Sequence, residues 1–138
     1  MENQAVDQSL TDMIRGEMPF AGELELEIVS GAADRIEGRA QWRPERCTAG
    51  GVLHGGYLMG LADSVGAMCA VYNLPEGTAT STIESKTNFF RAVSEGQVRL
   101  TANPIHVGRS TIVVQTDLHR ADGQLVSRTI QTQAVIAG

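Results

Sequence analysis

The sequence is short of basic residues, with eleven against sixteen acidic ones and a formal net charge of −5. Duplex nucleic acid and anionic membranes both call for a basic face, so neither is expected as the main partner. Lysine is almost missing: Lys86 stands alone beside ten Arg. Arginine forks match phosphate and carboxylate geometry, and a few well-placed ones suffice for a phosphorylated ligand. Nowhere does the chain carry the ~18 consecutive apolar residues that a membrane span needs. The first residues, Met1-Glu2-Asn3-Gln4-Ala5-Val6-Asp7, are acidic and lack the layout of a signal peptide. Cysteine is scarce as well: Cys47 and Cys69 stand 22 apart, with no C-x-x-C. That spacing gives no disulfide framework, and a reducing cytoplasm is the default expectation. With only three scattered His, at 54, 106 and 119, no metal set emerges and none is assigned.

What is present is a packable chain of 138 residues, 42% hydrophobic, long enough for one domain spanning 1–138. Val6, Leu10, Met13 and Ile14 recur at helical spacing, which predicts a short amphipathic helix in an N-terminal segment 1–19 that ends before Pro19. The period then changes to two. Residues 23–28 alternate Glu with Leu or Ile, as a half-buried strand requires, and residues 35–42 alternate again after a turn-rich 30–34. The pair reads as an antiparallel hairpin with a longer loop.

After a loop over 43–52, the stretch 53–72 has neither alternation nor proline. Leu58, Leu61, Ala62, Val65, Cys69 and Tyr72 form one helical stripe, and Asp63 is the only charge between Gly55 and Tyr72. A helix apolar nearly all round is predicted to be buried. Four further strands are expected at 78–91, 97–107, 110–120 and 124–136, the last two joined by an Asp122-Gly123 hairpin turn. Pro104 marks an edge or a bulge in its strand. Six strands mostly joined by antiparallel turns, with one buried helix, make an α+β domain whose sheet wraps a central helix.

Asp63 is the most informative residue. A carboxylate in a buried helix must be partnered, solvated through a cleft, or functional, and it is the best candidate for a general base or nucleophile. An ordinary helix residue bonded to a neighbouring strand is the competing reading. The second feature is the run Gly50-Gly51-Val52-Leu53-His54-Gly55-Gly56 at the start of the helix. Glycines let a ligand approach the backbone, and free helix N–H groups can bind an oxyanion or polarise a carbonyl. An ordinary glycine-rich cap explains the same run. His54 and Asp63 are nine residues apart, which is a half-turn offset and about 13.5 Å of rise. If both act in one site, a second copy of the chain must supply one of them.

The stretch from Gly51 to Asp63, with His54-Gly55-Gly56 followed by Leu61-Ala62-Asp63, resembles the H-G-G-x-x-x-x-L-A-D signature of hotdog-fold acyl-CoA thioesterases, specifically the phenylacetate-pathway type. Residues 82–91, with Thr82, Asn88, Phe89 and Arg91, resemble that family's T-x-x-x-x-x-N-F-x-R strand. His106-Val107-Gly108-Arg109 resembles its V-x-H-x-G-R turn, and the similarity runs in order over roughly 20–136. The resemblance implies a hotdog fold, a long helix wrapped by a curved antiparallel sheet of about six strands. It also implies a homodimer sharing one sheet, commonly built into a homotetramer, and hydrolysis of an acyl-CoA to a carboxylic acid and free CoA. CoA enters as part of the substrate, with no separate cofactor. Carried over by position, Asp63 is the catalytic carboxylate, and the Gly55 N–H polarises the thioester carbonyl from the opposing subunit. His54 shapes that site, and Thr82 falls where the family places a hydroxyl near the attacking water. Relatives carry Asn three residues before the loop glycine; here the position holds Thr48. Gly56, Asn88 and Gly108 belong to the matching motifs and are assigned to the substrate with Arg91 and Arg109, the expected CoA-phosphate ligands.

Lys86 and Glu84 lie two apart in one strand and are expected to pair at the surface. His106 and His119 read as ordinary strand residues; Trp42, Phe89 and Phe90 are expected to pack, with one aromatic as the alternative lining of an acyl pocket. A non-catalytic acyl-CoA binding or sensing module is the competing function; Asp63 favours the enzyme, since pure binding gains nothing from a carboxylate beside a thioester. A dehydratase or hydratase on the same fold is disfavoured for want of its His-plus-acid pattern.

Overall fold

The computed structural model describes residues 4–138, so the first three residues of the expected 1–19 segment lie outside the described residues. Helix α1 spans Gln8–Glu17 and ends before Pro19, as its period predicts. Asp7 caps it, its carboxylate accepting from the Leu10 N–H at 3.0 Å. The next element corrects the sequence reading. Residues 19–23 are not the approach to a strand but a short helix, α2 (Pro19–Glu23), with the proline at its first position, where a fixed φ and a missing N–H cost nothing. Strand β1 begins only at Glu27 and runs Glu27–Ala32. The alternation is still real in burial, since Leu24, Leu26 and Ile28 are inside while Glu25 is exposed. Glu25 turns the chain with φ +56°, a left-handed conformation that breaks the would-be strand in two.

Strand β2 (Arg35–Gln41) pairs with β1 from Ala32↔Arg35 onward, so the connection is a two-residue turn rather than the longer loop expected; a register shift between Ile28 and Ser30 absorbs the extra length. Helix α3 covers Gly55–Val71, and Pro75 blocks its continuation. Strands β3 (Thr78–Phe89), β4 (Gln97–Val107), β5 (Thr111–Arg120) and β6 (Leu125–Ala137) follow, close to their expected limits. All six strands form one antiparallel sheet in the order β1-β2-β4-β5-β6-β3. Pro104 sits at a register shift of β4 against β5, beyond the end of the β2 pairing, so its missing N–H is not needed.

The sheet packs its concave face on α3. Ile36, Val98, Leu100, Ile112, Val114 and Leu118 meet Leu58, Leu61, Val65 and Cys69 in one fully buried cluster. The inner face changes character across the sheet. On β6 the inward positions are Thr129, Gln131 and Gln133, all buried. Outermost comes β3, an edge strand exposed along almost its whole length, with Ile83 63% and Phe89 48% exposed. Phe89 and Phe90 just beyond the strand, expected to pack, are thus open in this chain, because among the described residues no element lies outside β3 to cover them.

Leu61, at 0% exposure, is the centre of the contact between helix and sheet. Leu61→Ala is expected to destabilise the fold by about 3 kcal/mol. Denaturant unfolding checks this, and a loss below about 1 kcal/mol, the size of a surface substitution, would contradict the packing described.

Candidate active site

The loop before α3 is held by one cation. Arg46 donates through Nη1 to the Leu24 carbonyl and to the Tyr57 hydroxyl (2.8 Å), and through Nη2 to the Glu23 carbonyl (2.9 Å) and Glu25. Its own carbonyl accepts from the His54 N–H at 2.9 Å. Tyr57 donates its hydroxyl to the Leu24 carbonyl at 2.8 Å, and burial raises its pKa, so the phenol stays a donor. The loop itself turns on Gly50 and Gly51, at φ +86° and +74°, where a side chain would be strained. Trp42, partly buried, ties that turn down by donating its indole N–H to the Gly51 carbonyl at 3.1 Å.

The helix start is thereby fixed, and its first donors have separate fates. His54 is the N-cap: its Nδ1 accepts from the Gly56 N–H at 2.7 Å, which leaves the ring proton on Nε2. The Gly55 N–H has no partner among the described residues. It is an uncommitted donor at the positive end of a 17-residue helix. The ring of Phe89 lies against Gly55, where a Cβ would stand 3.2 Å from Cζ, so an added side chain would displace the exposed ring by a few tenths of an ångström.

Asp63 departs from the expectation of a buried carboxylate: it is exposed in this chain. Gly56, Met59, Asp63, Ala67 and Val71 recur every three or four residues and make one open stripe along α3, with Met59 37% and Val71 50% exposed. Apolar composition all round the helix does not mean burial all round, because the sheet covers only the opposite side. Asp63 Oδ1 accepts one hydrogen bond, from Gln131 Nε2 at 3.1 Å.

The single chain does not gather the remaining candidates around Asp63. Gly55 lies eight residues earlier on the same helix, about 12 Å along its axis. Thr82, opposite Gln133 in the register of β3 and β6, is exposed, and so are Thr48 and Asn88; none of the three side chains bonds to a described residue. The Thr48 backbone N–H closes the loop on the Val52 carbonyl at 2.9 Å. Arg91 follows β3 and donates to the Leu125 carbonyl at 3.0 Å. Gly108 and exposed Arg109 form the β4–β5 turn, where the Gly108 N–H donates to the Thr111 carbonyl at 2.8 Å. Arg91 and Arg109 therefore stand at opposite ends of the sheet, separated by about 30 Å, the length of β5 at 3.3 Å per residue. Lys86 makes no ion pair among the described residues, so the expected partnership with Glu84 is not formed.

Of the three aromatics, Phe89 is the one that faces the helix start. Sequence reasoning missed one member of this region. Gln131 was passed over, although its inward position on β6 between Thr129 and Gln133 gives a legible signal, amide where a core strand would carry Val or Ile. Among the described residues no group of three His, Cys, Asp or Glu is placed to hold a metal ion, and no helix is long and apolar enough to cross a membrane. Both cysteines are free; burial pushes the Cys69 thiol up to about 11, which keeps it unreactive.

A sequence profile of the thioesterase superfamily matches residues 50–127, from the loop glycines to the start of β6. The proofreading thioesterase EntH of Cronobacter sakazakii is 38% identical over 61 residues, 44% of each chain. A crystal structure of a Haemophilus influenzae thioesterase superposes with a TM-score of 0.86 at 26% identity, covering 99% of this chain and 93% of that one. A phenylacetic acid degradation-related protein from Ralstonia eutropha gives 0.80 at 29% identity, covering 89% and 96%. With the profile spanning more than half of the chain and the whole six-stranded architecture shared with thioesterases, this protein belongs to the hotdog-fold thioesterase superfamily.

Proposed function

We propose that the protein hydrolyses acyl-CoA thioesters to a carboxylic acid and free CoA, in a site shared between two copies of the chain. The observation that carries this reading is the pairing of two open groups on one helix: the free Gly55 N–H and the exposed Asp63 carboxylate, held at Oδ1 alone, too far apart to serve one carbonyl within a single chain. The stripe around Asp63 and the bare edge strand β3 supply the surface that a second copy would cover. Antiparallel association along β3 brings the Arg109 end of one chain to the Arg91 end of the other. Dimers pairing further would give the homotetramer expected of the family.

In that site the Gly55 N–H and the helix dipole polarise the thioester carbonyl and hold the developing oxyanion. The partner subunit's Asp63 either takes the proton from an attacking water or attacks the carbonyl carbon itself. In the first route collapse of the tetrahedral intermediate breaks the C–S bond, and the CoA thiolate leaves with the proton that Asp63 took from water; in the second the thiolate leaves an acyl–Asp63 anhydride, which water hydrolyses to the carboxylic acid and the free carboxylate. His54 keeps the Gly55 N–H free by capping Gly56 instead. Thr82 and Thr48 offer the unbonded hydroxyls for placing water. Arg91 and Arg109 offer charge to the CoA phosphates, with Asn88, Gly56 and Gly108 lining the approach. An aromatic acyl group of the phenylacetyl type fits the exposed Phe89 and Phe90 and the relative named for phenylacetic acid degradation. No cofactor enters, since CoA is part of the substrate. A cytoplasmic setting suits a chain whose two cysteines are free.

A thiol-release assay across aromatic, short and long acyl-CoAs tests the activity. Asp63→Asn is expected to lower turnover by about 10²- to 10⁴-fold with fold and assembly unchanged. Wild-type turnover in that variant would sink the assignment; tight acyl-CoA binding by a wild type that releases no thiol would favour the sensing module.

Mixing variants tests the shared site. Gly55→Pro removes the free N–H at a helix position that tolerates proline, after a His54 already extended at φ −64°, ψ 137°. Each variant alone is expected to be inactive. Gly55→Pro and Asp63→Asn chains dissociated together and re-paired should recover roughly a quarter of wild-type turnover, since half of the dimers are mixed and each holds one intact site. No recovery from demonstrably mixed dimers would overturn the sharing, as would full activity in a monomer.

A further inference from the structure

We infer that Gln131 is a positioning residue for Asp63, and that Gly66 is glycine to make room for it. The inference rests on Asp63 being the working carboxylate. Gln131 sits on the inner face of β6, fully buried and opposite Ser85 and Val114 in the neighbouring strands. Of its polar atoms one is used: Nε2 donates to Asp63 Oδ1 at 3.1 Å, while Oε1 is buried without a partner. An unsatisfied buried acceptor costs about 1–3 kcal/mol, and an apolar side chain of the same shape would avoid that cost. Stability alone therefore argues against glutamine here, and its single bond goes to the one charge on α3.

Gly66 is the second unfavourable choice at the same point. Glycine inside a helix costs about 1 kcal/mol relative to alanine. A Cβ at Gly66, however, would stand 1.9 Å from Gln131 Oε1 and 2.7 Å from its Cδ, a collision the buried amide cannot escape by a small adjustment. Two residues that each weaken the fold make sense together, since one seats the amide and the other directs it at Asp63.

The chemistry fixes the polarity of the contact. An ionised carboxylate only accepts, so the amide must face it with Nε2. It also holds Oδ1 from the protein side, while Oδ2 has no partner among the described residues and is left for the reaction. A buried amide anchored in a strand is a stiffer guide than a surface side chain, and sub-ångström placement matters at a reacting centre.

The test separates stability from activity. Gln131→Met keeps the length and removes the donor. Expected are a melting temperature at or above wild type and a kcat lower by about 10- to 100-fold with KM little changed. Gly66→Ala, which leaves both partners chemically intact, should lower kcat with KM little changed in the same way. Gln131→Met with wild-type kcat overturns the inference, as does a loss of activity that only follows a loss of folded protein. Asp63→Asn separates the two levels: turnover unchanged there refutes the parent reading, whereas loss there with an unaltered Gln131→Met refutes this inference alone. Should both positioning variants fail to fold, the Gln131 side-chain amide resonances of labelled wild type and Asp63→Asn decide. A displaced pair supports the contact; an identical pair overturns it.

Discussion

A 17-residue helix that is apolar on nearly every side is laid against one sheet, and one sheet can cover only one side of it. Leu58, Leu61, Val65 and Cys69 are satisfied by the strands, while Met59, Asp63, Ala67 and Val71 are left facing outward. The edge strand β3 continues the same open surface with Ile83, Phe89 and Phe90. A helix and sheet of this make are one layer short of a closed core. The shortage lies where the only charge of the helix sits, so the surface that calls for a partner and the surface that carries the chemistry are one.

The other end of the helix is arranged with the opposite logic, by over-fastening. Arg46 reaches the Leu24 and Glu23 carbonyls and the Tyr57 hydroxyl, and its ring contact with Tyr57 at 4.9 Å adds a cation–π interaction. Those bonds tie α2, the loop and α3 into a single corner. Within so rigid a corner His54 can cap one donor and leave its neighbour open, and the difference between the Gly56 and Gly55 N–H groups becomes chemically meaningful. Polarisation by a helix end depends on the donor keeping its position when charge develops, which a frayed first turn would not provide.

Most of the architecture was legible from period and punctuation. Alternation marked β2, turn residues bounded the four later strands, the unbroken 53–72 run marked α3, and Asp122-Gly123 marked its hairpin, where Gly123 has φ +86°. Residues 23–28 misled because alternation records which side chains are buried, not which backbone buries them: Leu24 and Leu26 are inside with Glu25 in a left-handed turn between them. Asp63 misled for a related reason. Composition shows that a helix is apolar all round, but whether its covering comes from the same chain or another is a property of assembly. Arg91 and Arg109 were each readable as strand-end cations, while their placement at opposite ends of one sheet follows only from the pairing order.

The inner face of β6 is where foldability and function diverge most clearly. β4 and β5 turn Val98, Leu100, Ile112, Val114 and Leu118 to the helix and bury them completely, whereas β6 turns Thr129, Gln131 and Gln133 to the same interior. Thr129 shares a hydrogen bond with Thr87 of β3 at 2.7 Å, but both polar atoms of Gln133 and the Oε1 of Gln131 have no partner. Polarity is thus concentrated on the strand nearest the open edge, under the half of α3 that carries Asp63, with Thr116 the one polar residue that β5 turns the same way. A core optimised for stability would have no such gradient, since every unpaired amide weakens it. A gradient of this kind arises when one side of a scaffold must be rigid and dry while the other must hold a charged group in a fixed orientation beside a surface that a second chain completes.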